Sequence, residues 1–161
     1  MKLISRMLAA GVVASAVAGT AVLTGAPAAS AAGTDTTLPS TVETFEYPQA
    51  DKIEKELGIR LLRGDGHIVL AKCGSRPGLI EVNARDKDTF CFRVTGKSGY
   101  LSLNVPAVNG IKGNDYQVHV NMSTNDESKG YDIDKNRWTG VGEAKDPQGR
   151  DFSLLEIFAT K

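Results

Sequence analysis

Short runs in which hydrophobic and polar residues alternate fill most of the chain after residue 58. Clusters of Gly, Asn, Asp and Pro separate them, as in antiparallel sheets joined by tight turns. Ahead of them, residues 51–57 place Ile53 and Leu57 four positions apart, which predicts a short helix. The pattern predicts a mainly β fold, a small antiparallel β-sandwich or barrel-like domain. Its predicted strands cover residues 60–62, 67–73, 79–84, 90–94, 100–105, 116–124, 131–134, 138–141 and 152–159.

A separate alternating segment, residues 41–47, precedes the predicted helix. Phe45 and Tyr47 lie on one side of it, and Val42 and Thr44 on the other. No neighbouring run forms an obvious hairpin with it. It therefore pairs either with an edge strand of its own domain or with a strand of another protein, where backbone bonds give affinity and alternate side chains give specificity. We predict these four residues as candidate partner-binding positions.

Two apolar features inside the β region each have two interpretations. Residues 105–111 are apolar but interrupted by Pro106 and Gly110, which favours a buried corner of the sandwich over an exposed docking loop. Trp138 is the single tryptophan of the chain. Such a residue is more often a core anchor than an exposed binding residue, and we predict the core.

The beginning of the chain has the parts of a secretory signal. Lys2 and Arg6 precede an apolar stretch of small residues, and Ala29-Ser30-Ala31 fits a small-x-small cleavage site. Cleavage after Ala31, or one residue later, predicts a secreted, extracellular protein. Its many Ala, Gly, Ser and Thr residues argue against a membrane anchor. The predicted organisation is signal peptide 1–31, flexible N-terminal tail with a strand-prone segment 32–48, and β domain 49–161.

Charge argues against nucleic acid or an anionic membrane as a partner. Removal of Lys2 and Arg6 leaves 17 basic against 19 acidic residues, a formal net charge of −2. The basic residues also form no block, whereas phosphate binding needs a clustered basic face.

The two cysteines, Cys73 and Cys91, predict a disulfide bond. Neither has a second cysteine or a histidine at metal-ligand spacing, which disfavours a metal or catalytic thiol. Closing a loop of this length stabilises a domain by about 3 kcal/mol.

The search for catalytic chemistry finds no motif. His67 and His119 both lie in strand-like runs and are interpreted as structural or surface residues. No nucleophile elbow and no zinc-protease motif is present. We therefore predict a protein that is not an enzyme and has no cofactor. A hydrolase with a dispersed active site is the least supported alternative.

One spacing resembles a calcium loop. Asp132, Asp134, Asn136 and Glu143 match positions 1, 3, 5 and 12 of an EF-hand. The position of the required glycine is occupied by Arg137, and the alternation around Asp132 predicts a strand rather than a flanking helix. We therefore predict no metal site.

Several segments together resemble a family of small secreted actinobacterial proteins, and are similar to the adaptor subunits of streptomycete umbrella toxin particles. The resemblance covers residues 49–161. It rests on Cys73 and on the segments GDGHI (64–68), FCFRVTG (90–96), KGNDY (112–116), DKNRWT (134–139), DPQGR (146–150) and LEI (155–157).

The resemblance implies a non-enzymatic adaptor in an antibacterial complex. In that family the extended N-terminal segment adds a strand to the repeats of a large filamentous toxin subunit. The globular domain binds a lectin-bearing subunit, whose trypsin-like domain accepts it in a cleft. The alternative is a stand-alone secreted inhibitor or carbohydrate-binding β domain, in which residues 106–111 could block an enzyme cleft.

Overall fold

The computed structural model describes residues 44–161, which form two antiparallel sheets, a short helix and one 3₁₀ helix. Helix α1 is Ala50–Leu57 and the 3₁₀ helix is Gly142–Lys145. The strands are β1 (Phe45–Glu46), β2 (Arg60–Gly64), β3 (Ile68–Ala71), β4 (Ile80–Ala84), β5 (Phe90–Val94), β6 (Ser98–Val105), β7 (Val108–Lys112), β8 (Gln117–Ser123), β9 (Ser128–Ile133), β10 (Trp138–Gly140) and β11 (Ser153–Thr160).

The strands are shared between a six-stranded sheet, in the order β1-β2-β6-β11-β8-β9, and a five-stranded sheet, in the order β10-β7-β4-β5-β3. Alternate side chains of both sheets point inward to one core, which contains the fully buried Phe92, Leu101, Val120, Phe152 and Ile157. The predicted mainly β sandwich with a short preceding helix is confirmed. Among residues 44–161, no helix has the length and apolarity needed to cross a membrane.

The predicted sandwich corner at residues 105–111 is present but is confined to Pro106 and Ala107, and the docking-loop alternative is wrong. Val108–Lys112 is strand β7, which pairs with β4 on one side and β10 on the other. Pro106 and Ala107 form the turn that passes from one sheet to the other, with Ala107 at φ 53°. Pro106 and Gly110 were interpreted as strand breaks. Pro106 in fact lies before β7, and Gly110 lies within it.

A buried carboxylate holds together the end of the sandwich that precedes β11. Asp146 is buried and accepts hydrogen bonds from the Arg150 backbone nitrogen (2.9 Å), Nε (3.0 Å) and Nη2 (2.7 Å). Lys129 Nζ lies 3.3 Å from the same carboxylate. Both cations lie over the ring of Phe152, at 5.0 and 5.7 Å from its centroid. The buried carboxylate of Asp146, the two cations and the Phe152 ring therefore form one cluster.

The disulfide between Cys73 and Cys91 is present, as predicted. Cys91 is the second residue of β5 and is buried, whereas Cys73 lies in the exposed segment that follows β3. The bond therefore fixes an exposed loop to an interior strand.

Candidate functional site

The strand-prone segment pairs with an edge of its own domain over the part that the structure describes. Phe45 lies opposite Gly64 and Glu46 opposite Arg63, and the Tyr47 nitrogen donates to the Leu62 carbonyl at 2.9 Å. β1 is thereby the terminal strand of the six-stranded sheet. Of the two pairings considered for residues 41–47, the intrachain one is observed for this part.

Tyr47 connects the two sheets. Its side chain packs against the core, and its hydroxyl accepts a hydrogen bond from the Leu70 nitrogen at 2.7 Å. Leu70 lies in β3, the terminal strand of the other sheet, so the tyrosine satisfies a backbone donor at an otherwise open edge. Tyr47 therefore has a structural role in positioning β1.

The remaining candidate positions differ in their environment. The Thr44 carbonyl accepts a hydrogen bond from Arg63 Nη2 at 3.3 Å. Val42 lies outside the described residues. Phe45 is 66% exposed, which is the largest exposure among the big apolar side chains of residues 44–161. Of the three candidates that the structure describes, Phe45 has the most surface free for a partner.

Other apolar side chains are exposed close by in sequence. Phe45 at 66%, Leu57 at 40% and Leu62 at 40% are three of the four exposed large hydrophobic residues in the described part of the chain, and they come from β1, α1 and β2. Phe45 also lines an open hollow of about 280 Å³ that reaches β3, where Ile68 and Val69 contribute. Leu57 and Leu62 line other hollows, so Phe45 is the exposed apolar side chain that β1 itself offers to a partner.

Among residues 44–161, no strand pairs with the outer edge of β1. In antiparallel pairing, residues alternate between exchanging hydrogen bonds with the partner strand and pointing their N–H and C=O groups the other way. The bond from Tyr47 to Leu62 places Glu46 in the second class, so its backbone groups face away from β2. An incoming strand therefore meets a short, apolar, hydrogen-bonding edge.

The histidines occupy separate places. His67 Nδ1 lies 3.4 Å from Thr95 Oγ1 beside the turn after β5. His119, in β8, lies with its Nδ1 2.8 Å from Asp132 Oδ1 on the outer face of the six-stranded sheet. Neither is bonded to a serine or cysteine that could serve as a nucleophile in the described part of the chain.

The residues with calcium-loop spacing do not converge. The Asp132 carboxylate is bonded to His119, and Glu143 forms an ion pair with Arg85. Across residues 44–161, no three His, Cys, Asp or Glu side chains are grouped as a metal site would require.

Trp138 is 52% exposed, so its interpretation as a core residue is wrong. It lies in β10, the terminal strand of the five-stranded sheet, and its ring packs over Gly110, which has no side chain to displace it. Successive side chains of a strand point to opposite faces, so Trp138, three residues before the buried Val141, lies on the outer face. The alternation in the sequence was consistent with this position.

Comparison with protein-family models and with curated proteins finds no match to this chain.

Proposed function

We propose that the protein is a secreted, non-enzymatic adaptor that binds other secreted proteins through its amino-terminal edge. The observation that carries this proposal is the exposed Phe45 on a two-residue terminal strand. Its partners, on the resemblance described above, are a large repeat-containing filamentous toxin subunit and a lectin-bearing subunit of an antibacterial complex. The disulfide supports export, because such bonds persist in oxidising compartments.

Strand addition is the binding mode that this edge favours. β1 is too short to cover β2, which has five residues, and residues 41–43 continue the alternation of β1 in the sequence. A partner strand that pairs along this segment would gain backbone hydrogen bonds at Glu46 and apolar contact at Phe45. Tyr47 would hold β1 on the domain while the outer edge stays available.

The stand-alone inhibitor is less well supported. It depended on an exposed loop at residues 106–111, and those residues belong largely to the internal strand β7. Val108 and Ile111 are fully buried there and offer nothing to an enzyme cleft.

Replacing Phe45 with serine is expected to weaken partner capture at least tenfold, which is roughly the effect of removing an aromatic hot-spot residue. The melting temperature should change by less than about 2 °C, because the side chain is mostly exposed. The measurement is quantitative capture of secreted proteins from the producer's culture supernatant by the tagged full-length chain. Wild type and variant are compared at equal loading.

Trp138→Ser is the matched control, since it removes another half-exposed aromatic residue from the terminal strand of the other sheet. It should leave capture unchanged. Equal capture by wild type and Phe45→Ser, with both proteins folded, would show that this edge is not the binding site.

A further inference from the structure

The outer face of the six-stranded sheet carries two adjacent rows of residues that cross β9, β8, β11 and β6. The cross-strand register aligns one residue from each strand in each row. The first row is Asp132, His119, Phe158 and Tyr100, and the second is Gly130, Asn121, Glu156 and Ser102. Neither row belongs to the amino-terminal edge.

The first row forms a strip of rings. Phe158 lies between Tyr100 and His119, with ring centroids 5.0 Å and 6.4 Å away. All three side chains are partly exposed on the outer face. The strip therefore presents a continuous aromatic surface to solvent, on a rigid sheet rather than on loops.

The two rows are joined by a chain of hydrogen bonds centred on Glu156. Its Oε1 accepts from the Tyr100 hydroxyl at 2.9 Å, and its Oε2 accepts from Asn121 Nδ2 at 2.7 Å. Asn121 Oδ1 lies 3.3 Å from His119 Nε2, and His119 in turn contacts Asp132. Each side chain is held by its neighbour, so the polar groups have fixed directions before any ligand arrives.

This network keeps acceptor capacity for a ligand. An ionised carboxylate has about four acceptor positions, and Glu156 uses two of them within the network. The Tyr100 hydroxyl donates to Glu156, and its oxygen can still accept a hydrogen bond. Burial and the bond to Glu156 raise the pKa of Tyr100, so its hydroxyl keeps its proton at neutral pH.

Two open hollows flank Glu156. One, of about 550 Å³, is lined by Ser102, Asn121 and Leu155, and the other, of about 430 Å³, by Tyr100 and Phe158. Glu156 belongs to both. Their size is that of sites for small ligands. The smaller hollow has aromatic walls and the larger one has aliphatic and polar walls, and apolar walls with a few fixed polar groups are typical of such sites.

The chemistry of the face selects the class of ligand. A suitable ligand needs a flat C–H surface to cover the rings and several hydroxyl donors along one side to reach Glu156 and Tyr100. An anionic ligand is disfavoured, because Glu156 and Asp132 are both carboxylates. Leu62, at 40% exposure, adds an apolar wall beside Ser102 and Glu156, so the face combines apolar contact with fixed hydrogen-bonding groups.

We propose that the outer face of the six-stranded sheet is a saccharide-binding site, in which pyranose rings stack on Tyr100 and Phe158 and their hydroxyls donate to Glu156. This goes beyond the adaptor role and uses a face that adjoins the amino-terminal segment at Thr44 but does not include Phe45. The domain would thereby bind glycans directly, in addition to any secreted protein held at the amino-terminal edge.

The test is isothermal titration of the full-length exported protein with a panel of soluble hexasaccharides of glucose, N-acetylglucosamine, mannose and xylose. We expect at least one to bind with a Kd below about 1 mM. Tyr100→Phe removes a single hydroxyl and Glu156→Gln removes the charge with little change of shape. Each should weaken that binding about fivefold or more.

Trp138→Ala serves as the control, because it removes the exposed aromatic residue of the opposite sheet, and it should bind as wild type does. Melting curves establish that each variant is folded.

Absence of binding to every hexasaccharide at about 1 mM would overturn the proposal. So would binding that Tyr100→Phe and Glu156→Gln leave unchanged, or capture of a protein partner that depends on Glu156 while no saccharide binds. Phe45→Ser should leave saccharide affinity intact, so failure here is distinguishable from failure of the adaptor role.

Discussion

Replacing Asp146 with asparagine is expected to lower the melting temperature by about 10 °C or more at neutral pH. The carboxylate is buried between Arg150 and Lys129, and both cations lie over the ring of Phe152. The neutral amide cannot accept all four hydrogen bonds in the same geometry. It would also leave the two cations without their buried counter-ion, with only Glu127 at the surface to compensate.

The same cluster predicts how stability depends on pH. Hydrogen bonds from Arg150 hold the pKa of Asp146 well below its usual range, because they favour the carboxylate form. In the unfolded chain an aspartic acid titrates near about 3.9. The stabilisation is therefore complete above that pH and is lost as the pH falls towards the folded-state pKa.

Thermal melts of wild type and Asp146→Asn between about pH 7 and pH 2.5 measure this dependence. The difference in melting temperature should be large at the upper pH and should shrink as the carboxyl is protonated. Asp126→Asn is the matched control, because Asp126 lies on the exposed β8–β9 turn. If, at neutral pH, Asp146→Asn lowers the melting temperature by no more than Asp126→Asn does, the assigned role of the cluster is contradicted.

Replacing both Cys73 and Cys91 with serine is expected to lower the free energy of unfolding by about 3 kcal/mol. The bond closes a segment with a sequence separation of 18 residues, which contains β4 and the turns on either side of it. Removing it restores freedom to the unfolded chain, whereas β4 keeps its pairing with β5 and β7 in the folded state. The variant should therefore fold, with reduced stability.

Urea titration of wild type, the double variant and reduced wild type provides the measurement. Reduced wild type should resemble the double variant, and both should unfold at lower urea than the oxidised protein. A midpoint shift equivalent to less than about 1 kcal/mol would mean that the unfolded chain is little constrained by the bond.

The strands and the helix that follow a local hydrophobic pattern could be predicted from the sequence. Alternation located most strands, and the four-residue spacing of Ile53 and Leu57 located α1. Strand β7 was missed because Pro106 and Gly110 were interpreted as breaks. The structure places Pro106 in the turn before the strand, and Gly110 beneath the ring of Trp138.

The candidate surfaces depend on strand order, which local patterns do not determine. Helix α1 separates β1 from β2 in the sequence, so the pair is not a hairpin and no turn pattern indicates it. The two rows of the outer face exist because β11, the last strand, lies between β6 and β8. Only this insertion brings Glu156 beside Tyr100 and Asn121, which are distant in sequence.

Affinity purification of the tagged full-length protein from the producer's culture supernatant tests the adaptor role most directly, in parallel with a chain that begins at Thr44. The shorter chain keeps Tyr47 and its bond to Leu70, so it should remain folded. We expect the full-length protein to elute with distinct secreted proteins in stoichiometric amounts. The shorter chain keeps Phe45 and Glu46 but lacks residues 41–43, so it should capture less of the large repeat-containing protein. Elution of the full-length protein alone, at the mass of a monomer, would contradict the proposed function.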